Sequence, residues 1–340
     1  METFDTTLTN ATHPINQNAA SYFMNTTSPR IVPDTMAGHA TAAAILRSGG
    51  LVAFPTETVY GLGADACDDR AVARIYEAKG RPSFNPLIVH FADLDTLKQH
   101  VVWTEEAEML ASAYWPGPLT LVLRKQPHSP ISALVSAGLE SIAVRLPAHD
   151  TARAILREFG GGVAAPSANR SGQISPTQAQ HVADSLGARV DAILDGGPCK
   201  VGVESTIVGL LDKPLLLRPG GITEEDLART LGHPLTVRHK AEAISAPGQL
   251  MSHYAPVARV RLNATDWEPG ELRLGFGDVD CDLNLSASED LVEAAAHLFD
   301  HLHRLDAQGG SVIAVSPIPH EGLGIAINDR LSRAAAPREG

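Results

Sequence analysis

The chain has 340 residues, 44% hydrophobic and 19% charged, an ordinary globular balance with apolar material for one large core and a smaller one. Its formal net charge of -12 is repelled by nucleic acid at long range, which disfavours a tight stand-alone RNA binder. The three cysteines, Cys67, Cys199 and Cys281, are far apart, form no C-x-x-C pair and read as buried free thiols in a reducing cytoplasm, and no apolar run reaches the roughly 18 residues of a membrane span.

Residues 1–30 are rich in Thr, Asn and Ser and lack periodicity, so they read as a flexible arm. Glu2 and Asp5, with no basic-then-apolar pattern, argue against a secretion signal and for a cytoplasmic protein. Order is expected from about Asp34, an N-cap candidate for an Ala-rich helix over Thr35–Ser48 that Gly49-Gly50 ends. Leu51–Phe54 reads as a buried strand stopped by Pro55, Arg70–Lys79 as a helix closed by Gly80, and Pro86–His90 as a strand. Further strands are expected at Leu119–Leu123, Ile142–Leu146, Gly162–Ala165, Ala192–Leu194, Thr206–Leu210 and Leu215–Arg218. Helices are expected at Glu105–Tyr114, Thr151–Phe159, Thr177–Leu186 and Glu224–Leu231. Strands mixed with helices, less regularly than in a doubly wound series, predict an α/β domain with a mixed twisted sheet.

From 232 to about 257 the pattern breaks, with Ala246-Pro-Gly248 and Ala255-Pro256 marking an extended connector. A second α/β unit follows, with strands near Arg259–Leu262, Leu272–Phe276 and Val312–Val315 and helices over Glu289–Leu305 and near Ile327–Ala335. The expected division is an arm (1–30), a catalytic domain (31–235), a linker (236–257) and a smaller C-terminal domain (258–340).

Six stretches carry chemistry. Phe54-Pro-Thr-Glu-Thr-Val-Tyr-Gly-Leu-Gly63 brings hydroxyls and a carboxylate out of a strand into a Gly-rich turn, where α/β sheets bind ligands; capping hydroxyls are the alternative. Glu77-Ala-Lys-Gly-Arg81, followed by Asn85 and His90, sets Lys79 and Arg81 at a helix end; they suit a polyphosphate or cap the helix. In Ser141-Ile-Ala-Val-Arg-Leu-Pro147, Arg145 lies inside an apolar strand and needs a partner, either an internal Asp or Glu or a ligand anion. Ala164-Ala-Pro-Ser-Ala-Asn-Arg-Ser-Gly172, with Ser175 beyond, crowds small polar groups at a strand exit, as a phosphate cradle or a plain loop. Val203-Glu-Ser-Thr-Ile-Val208 with Leu217-Arg-Pro-Gly-Gly221 is the fifth, and Gln249-Leu-Met-Ser-His-Tyr-Ala-Pro256 in the connector is the sixth. The His253-Tyr254 pair would either close over a site or anchor the linker. No P-loop, G-x-S-x-G elbow or H-E-x-x-H occurs.

Taken together and in this order, these stretches resemble the Sua5/YrdC family in its two-domain Sua5 form, over roughly residues 35–335. The family's K-x-R and S-x-N signature falls on Lys79, Arg81, Ser167 and Asn169, which the resemblance makes catalytic. It implies a YrdC-like catalytic domain of mixed twisted sheet and a Rossmann-like α/β C-terminal domain. It implies synthesis of threonylcarbamoyl-AMP and pyrophosphate from L-threonine, bicarbonate or CO2, and ATP, with Mg2+ carried on the nucleotide and no protein metal site. The product would serve the threonylcarbamoyladenosine modification of tRNA, through a separate transfer machinery. By position, Thr58, His90, Arg145, Ala165 and Ser205 would hold threonine. Arg81, Asn85, Ser141, Ser167, Ser175, Arg218 and Tyr254 would surround ATP. Three alternatives are a carbamoyltransferase relative, which would carry zinc-finger cysteines and an acylphosphatase region missing here, an RNA-binding or ribosome-maturation factor, and a non-catalytic regulatory module. Acidic net charge predicts weak, salt-sensitive tRNA binding at most.

Overall fold

A computed structural model describes residues 29–82, 85–237 and 253–337. The expected arm up to residue 28 and the Ala246-Pro-Gly248 segment lie outside the described residues. Two sheets organise the rest, one of eleven strands and one of four.

The large sheet begins with β1 (Arg30–Pro33), a strand the sequence reading did not expect: it counted Arg30 in the arm and began order only near Asp34. It continues through β2 (Val52–Phe54), β3 (Gly61–Asp65), β4 (Ile88–His90), β5 (Leu119–Arg124), β6 (Ser141–Arg145), β7 (Val163–Ala164), β8 (Ala192–Asp195), β9 (Thr206–Gly209), β10 (Leu215–Arg218) and β11 (Thr236–Val237). The order across it is β1-β8-β2-β3-β7-β4-β6-β5-β9-β10-β11, with parallel and antiparallel pairs mixed as expected. Helices α1 (Met36–Arg47), α2 (Asp69–Lys79), α3 (Leu94–Lys98), α4 (Glu105–Tyr114), α5 (Asp150–Phe159), α6 (Ala179–Leu186) and α7 (Glu224–Leu231) complete this unit. Its core runs from Leu51 and Tyr60 through Val89 and Leu121 to Leu235.

In the second sheet, β12 (Arg259–Arg261), β13 (Leu272–Gly275), β14 (Leu283–Asn284) and β15 (Val312–Val315) pair in parallel in the order β12-β15-β13-β14. Helices α8 (Leu291–Asp306) and α9 (Leu323–Ala335) pack beside it. This core includes Tyr254 of the connector and Val59, Ile174 and Val203 of the first unit, so the two units share apolar contact.

Several local expectations are corrected. Thr35, not Asp34, caps α1 by accepting from the Gly38 amide; Asp34 instead accepts from Thr151 Oγ1 at 2.7 Å. Gly61-Leu-Gly63 is not a turn but strand β3, antiparallel to β2. Gly63 is needed because a Cβ there would lie 2.7 Å from the Phe54 ring and 2.9 Å from Val163. Thr177 and Gln178 precede α6 rather than joining it. Helix α8 starts after Glu289, which sits at φ 61°, and Asp290 caps it. Helix α9 starts four residues earlier than expected, directly after Gly322 at φ 50°. Of the cysteines only Cys199 is buried; Cys67 is exposed and Cys281 is intermediate.

Candidate active site

The ends of β2, β4, β6, β7 and β10 meet around one cavity. Thr56, Thr58, Arg81, His90, Arg145, Ala165, Ser167, Ser205, Arg218 and Tyr254 line it. Among the described residues, the buried charged side chains apart from histidine are Glu57, Lys79, Arg81, Arg145, Glu204, Arg218 and Arg330. Each lines this cavity or bonds directly to a residue that does. On the wall itself Arg81, Arg145 and Arg218 stand against the single carboxylate Glu204, an excess of buried positive charge that favours an anionic ligand.

Arg145 ends β6 beside His90 at the end of β4, and the parallel register pairs the two residues directly. Its guanidinium donates to Glu57 Oε1 at 2.6 Å, Thr58 Oγ1 at 3.1 Å and the Gly117 carbonyl at 3.3 Å. The internal acid anticipated for this buried strand is therefore Glu57. A guanidinium has five N–H groups, so the fork is held in place with donors to spare. Burial, and then Arg145, push the His90 imidazole down to about 3, so it is neutral at physiological pH. His90 Nδ1 is buried without a partner among the described residues.

Lys79 does not face the cavity. It ends α2, where Gly80 at φ 58° turns the chain, and its ammonium donates to the Ser167 carbonyl at 2.6 Å and the Asn169 carbonyl at 2.5 Å. The Ser171 amide returns a bond to the Lys79 carbonyl at 2.8 Å. Burial, and then Arg81, hold this ammonium well below its usual pKa. Arg81 lines the cavity, anchored to the Asn85 and Pro86 carbonyls, and is pushed down to about 10, chiefly by burial, with Arg218 adding repulsion.

Asn85 and Asn169 stand just outside the lining. Both side-chain polar atoms of Asn85 and the Asn169 Oδ1 are buried without partners among the described residues. Buried polar groups are normally satisfied, so orphans clustered on one cation-rich cavity fit a polar ligand. Ser141 lies at the opposite end of β6 from Arg145, away from the lining. Ser175 is fully buried and donates to Glu204 Oε1 at 2.6 Å, so it reaches the cavity only through that carboxylate. Arg218 bonds the Ser205 carbonyl at 2.9 Å and the Ser205 hydroxyl at 3.2 Å.

The connector reaches the site. His253 and Tyr254 line the cavity, 5% and 1% exposed. Tyr254 sits at φ 66°, a left-handed conformation that costs a non-glycine residue about 1–2 kcal/mol. It stacks on Phe299 of α8 with centroids 5.5 Å apart. The His253 amide bonds the Arg333 carbonyl of α9, and the Ala255 amide bonds the Gly172 carbonyl. With this pair in place the cavity holds only about 50 Å3. Ligand pockets are typically about 300–1,000 Å3, so the cavity as closed by this pair is well below that range. A larger cleft of about 850 Å3 between the units is lined by Asp34, Glu57, Asp150 and Asp300, the wrong sign for an anion.

Glu57 and Glu204 fell within the first and fifth stretches without being assigned a site role, and Arg330 lay outside all six. Arg330 had a readable signal: it lies on the apolar stripe of α9 with Ile327, Leu331 and Ala334. A charge on a buried stripe is the same anomaly that marked Arg145.

Fold and site together define a two-unit α/β enzyme built around a small, cation-lined cavity. A family model described as "Telomere recombination" matches residues 44–220, and one described as "Threonylcarbamoyl-AMP synthase, C-terminal domain" matches residues 222–336. The chain belongs to the Sua5/YrdC family. It is 42% identical to the threonylcarbamoyl-AMP synthase of Pyrococcus abyssi, over 87% of this chain and 94% of that one. It is 43% identical to the Bacillus subtilis protein of the same name, over 88% and 93% of the respective chains. A crystal structure of P. abyssi Sua5 complexed with L-threonine matches with a TM-score of 0.81 at 38% identity, covering 90% of this chain and 97% of that one.

Proposed function

We propose that the cavity condenses L-threonine, bicarbonate and ATP into threonylcarbamoyl-AMP and pyrophosphate. That the protein makes threonylcarbamoyl-AMP from L-threonine follows from relatives 35–43% identical that carry this activity in their names, and from the threonine-bound Sua5 of the same fold. The observation that carries the finer reading is the convergence of three buried arginines, Arg81, Arg145 and Arg218, on one cavity at the ends of the strands.

Threonine's amine takes up CO2 as a carbamate, whose oxygen attacks the α-phosphorus of ATP and expels pyrophosphate. The work for the protein is positioning and charge neutralisation. Arg145, steadied by Glu57, presents its remaining N–H groups to the threonine carboxylate, with Thr58, Ala165 and Ser205 around the amino acid and neutral His90 offering Nδ1 to a proton. Arg81 and Arg218 face the phosphates, Ser167 contributes its hydroxyl, and Asn85 and Asn169 offer their unpartnered groups. Lys79 acts by holding the Ser167–Asn169 loop. Tyr254 packs on the nucleotide, while Ser141 and Ser175 lie at its margins. A site sealed by Tyr254 keeps water from a labile intermediate.

Mg2+ enters with ATP. Among the described residues no group of three or more His, Cys, Asp or Glu could hold a metal, and Glu57 and Glu204 already bond arginines, so the residues fit a cation carried by the phosphates. Residues 31–235 form the catalytic domain and 258–340 the second, joined by 236–257. The product passes to a tRNA-modifying transferase, which places the group at position 37 of tRNAs reading ANN codons. The protein itself binds tRNA weakly, because the net charge is -12 and five of its cations are buried. It works in the cytoplasm; no described helix is long and apolar enough to cross a membrane.

Pyrophosphate release tests the reading. It should require both threonine and bicarbonate, and serine should be slower, since one methyl contact is worth about 1–3 kcal/mol. Equal release without any amino acid would refute it.

A further inference from the structure

Glu204 presents a difficulty for an anionic substrate. It lines the cavity, is 6% exposed, and a carboxylate there would repel a triphosphate. The second unit supplies the answer. Arg330 of α9 is completely buried, and its Nε donates to Glu204 Oε2 at 2.7 Å. Its Nη2 donates to the Pro219 carbonyl at 2.9 Å, next to Arg218, and its Nη1 to Asp329 at 2.6 Å. The guanidinium carbon also stands 5.3 Å from the Tyr254 ring centroid, on the connector. One side chain thus joins a cavity carboxylate, the backbone beside a cavity arginine and the cavity's aromatic cover. Burial pushes the Glu204 carboxyl up, but Arg330 and then Arg218 outweigh it and hold Glu204 ionised.

We propose that Arg330 is a positioning residue for the reaction: brought by the second unit, it cancels the Glu204 charge at the cavity wall, so that the anionic nucleotide can bind. The inference rests on the ATP reading above. It gives the second unit a task in substrate binding, through a residue that does not itself line the cavity.

The test is ATP–Mg2+ binding by isothermal titration calorimetry on the full chain, without turnover. Arg330→Met leaves Glu204 buried and uncompensated, and the ATP Kd should rise about tenfold or more, while the threonine Kd moves less than about threefold. Adding Glu204→Gln removes the stranded charge, and the Glu204→Gln/Arg330→Met double variant should recover ATP affinity to within about threefold of the original protein. A purely structural arginine would give no such rescue. The proposal falls if Arg330→Met keeps its ATP affinity, or if the double variant binds as poorly as the single. Should Arg330→Met fail to fold by circular dichroism, the double variant decides alone: a loss of about tenfold or more in ATP affinity overturns the proposal. An unaltered protein that binds ATP yet releases no pyrophosphate with threonine and bicarbonate refutes the proposed reaction and leaves this inference standing. One that binds no ATP refutes both.

Discussion

Lys79 and Ser167, separated by 88 positions in the chain, are joined by a 2.6 Å hydrogen bond from the Lys79 ammonium to the Ser167 carbonyl. Two signature segments that look independent in sequence are one mechanical unit: the end of α2 grips the loop that leaves β7.

Lys79→Met should therefore fail in a particular way. The Ser167 and Asn169 carbonyls would lose a buried donor, at about 1–3 kcal/mol. Stability measured by thermal melt should drop by several degrees while the fold persists, and kcat for pyrophosphate release should fall at least about a hundredfold. Near-normal turnover would show that the loop holds its shape without the ammonium.

Tyr254→Ala should open the cavity by removing the ring between Arg330 and Phe299. The expected result is a rise in the ATP KM of about tenfold and faster hydrolytic loss of the product, followed by chromatography of the nucleotide products. An unchanged KM with unchanged product yield would reduce Tyr254 to a linker anchor.

Gly220→Ala should damage the site from behind. A Cβ at Gly220 would lie 2.3 Å from the Glu204 carbonyl oxygen and 2.5 Å from the Thr206 amide nitrogen, backbone that cannot step aside cheaply. Overpacking of this kind costs about 1–3 kcal/mol. Because the displaced segment carries Glu204 and Ser205, activity should fall more than stability does; a variant with native kinetics and native melting would contradict the close packing.

The protein should lose stability as pH falls below neutrality. Burial, and then the His181 ring stacked on it at 3.9 Å, push His303 down to about 4 in the folded chain. An unfolded histidine titrates near 6.5, so between about pH 6.5 and 4 the unfolded chain binds the extra proton, and stability rises with pH across that window. His303 alone should account for about 1–2 kcal/mol between pH 7 and pH 5. His303→Gln keeps a donor for the Ser175 carbonyl, which His303 Nε2 meets at 3.1 Å, and should flatten the pH dependence of denaturant unfolding. An equally steep profile in the variant would place the proton uptake elsewhere.

Much of this fold was legible because the physics was local. Helices such as Glu105–Tyr114 and Glu224–Leu231 announce themselves by a capping Thr and an acidic first turn, and both lie where the sequence put them. Strand β3 did not, because Gly61 and Gly63 carry no β propensity. They are set by what surrounds them, the Phe54 ring and the Ala165 and Val163 side chains. The cavity was legible as a set of residue types, and Thr58, Arg81, His90, Arg145, Ala165, Ser167, Ser205, Arg218 and Tyr254 do converge on it. Who neutralises whom was not legible. Glu57 serves Arg145 across 88 positions and Glu204 serves Arg330 across 126, and such pairings depend on tertiary closure that no local pattern encodes.

The first strand carries a consequence for anyone who shortens this chain. β1 lies at one edge of the large sheet, parallel to β8 from Arg30–Ala192 to Pro33–Asp195. Its outer rim is a poor template for further pairing, since Pro33 lacks an amide hydrogen and Arg30 brings charge. The β8 strand beneath reads Ala-Ile-Leu-Asp, with no proline and a charge only at its last residue. Trimming the chain to Asp34 would leave every catalytic side chain in place and yet bare the row of amides and carbonyls on β8 that β1 now occupies. Such a protein would keep its chemistry in dilute solution and lose it to edge-to-edge self-association as its concentration rises.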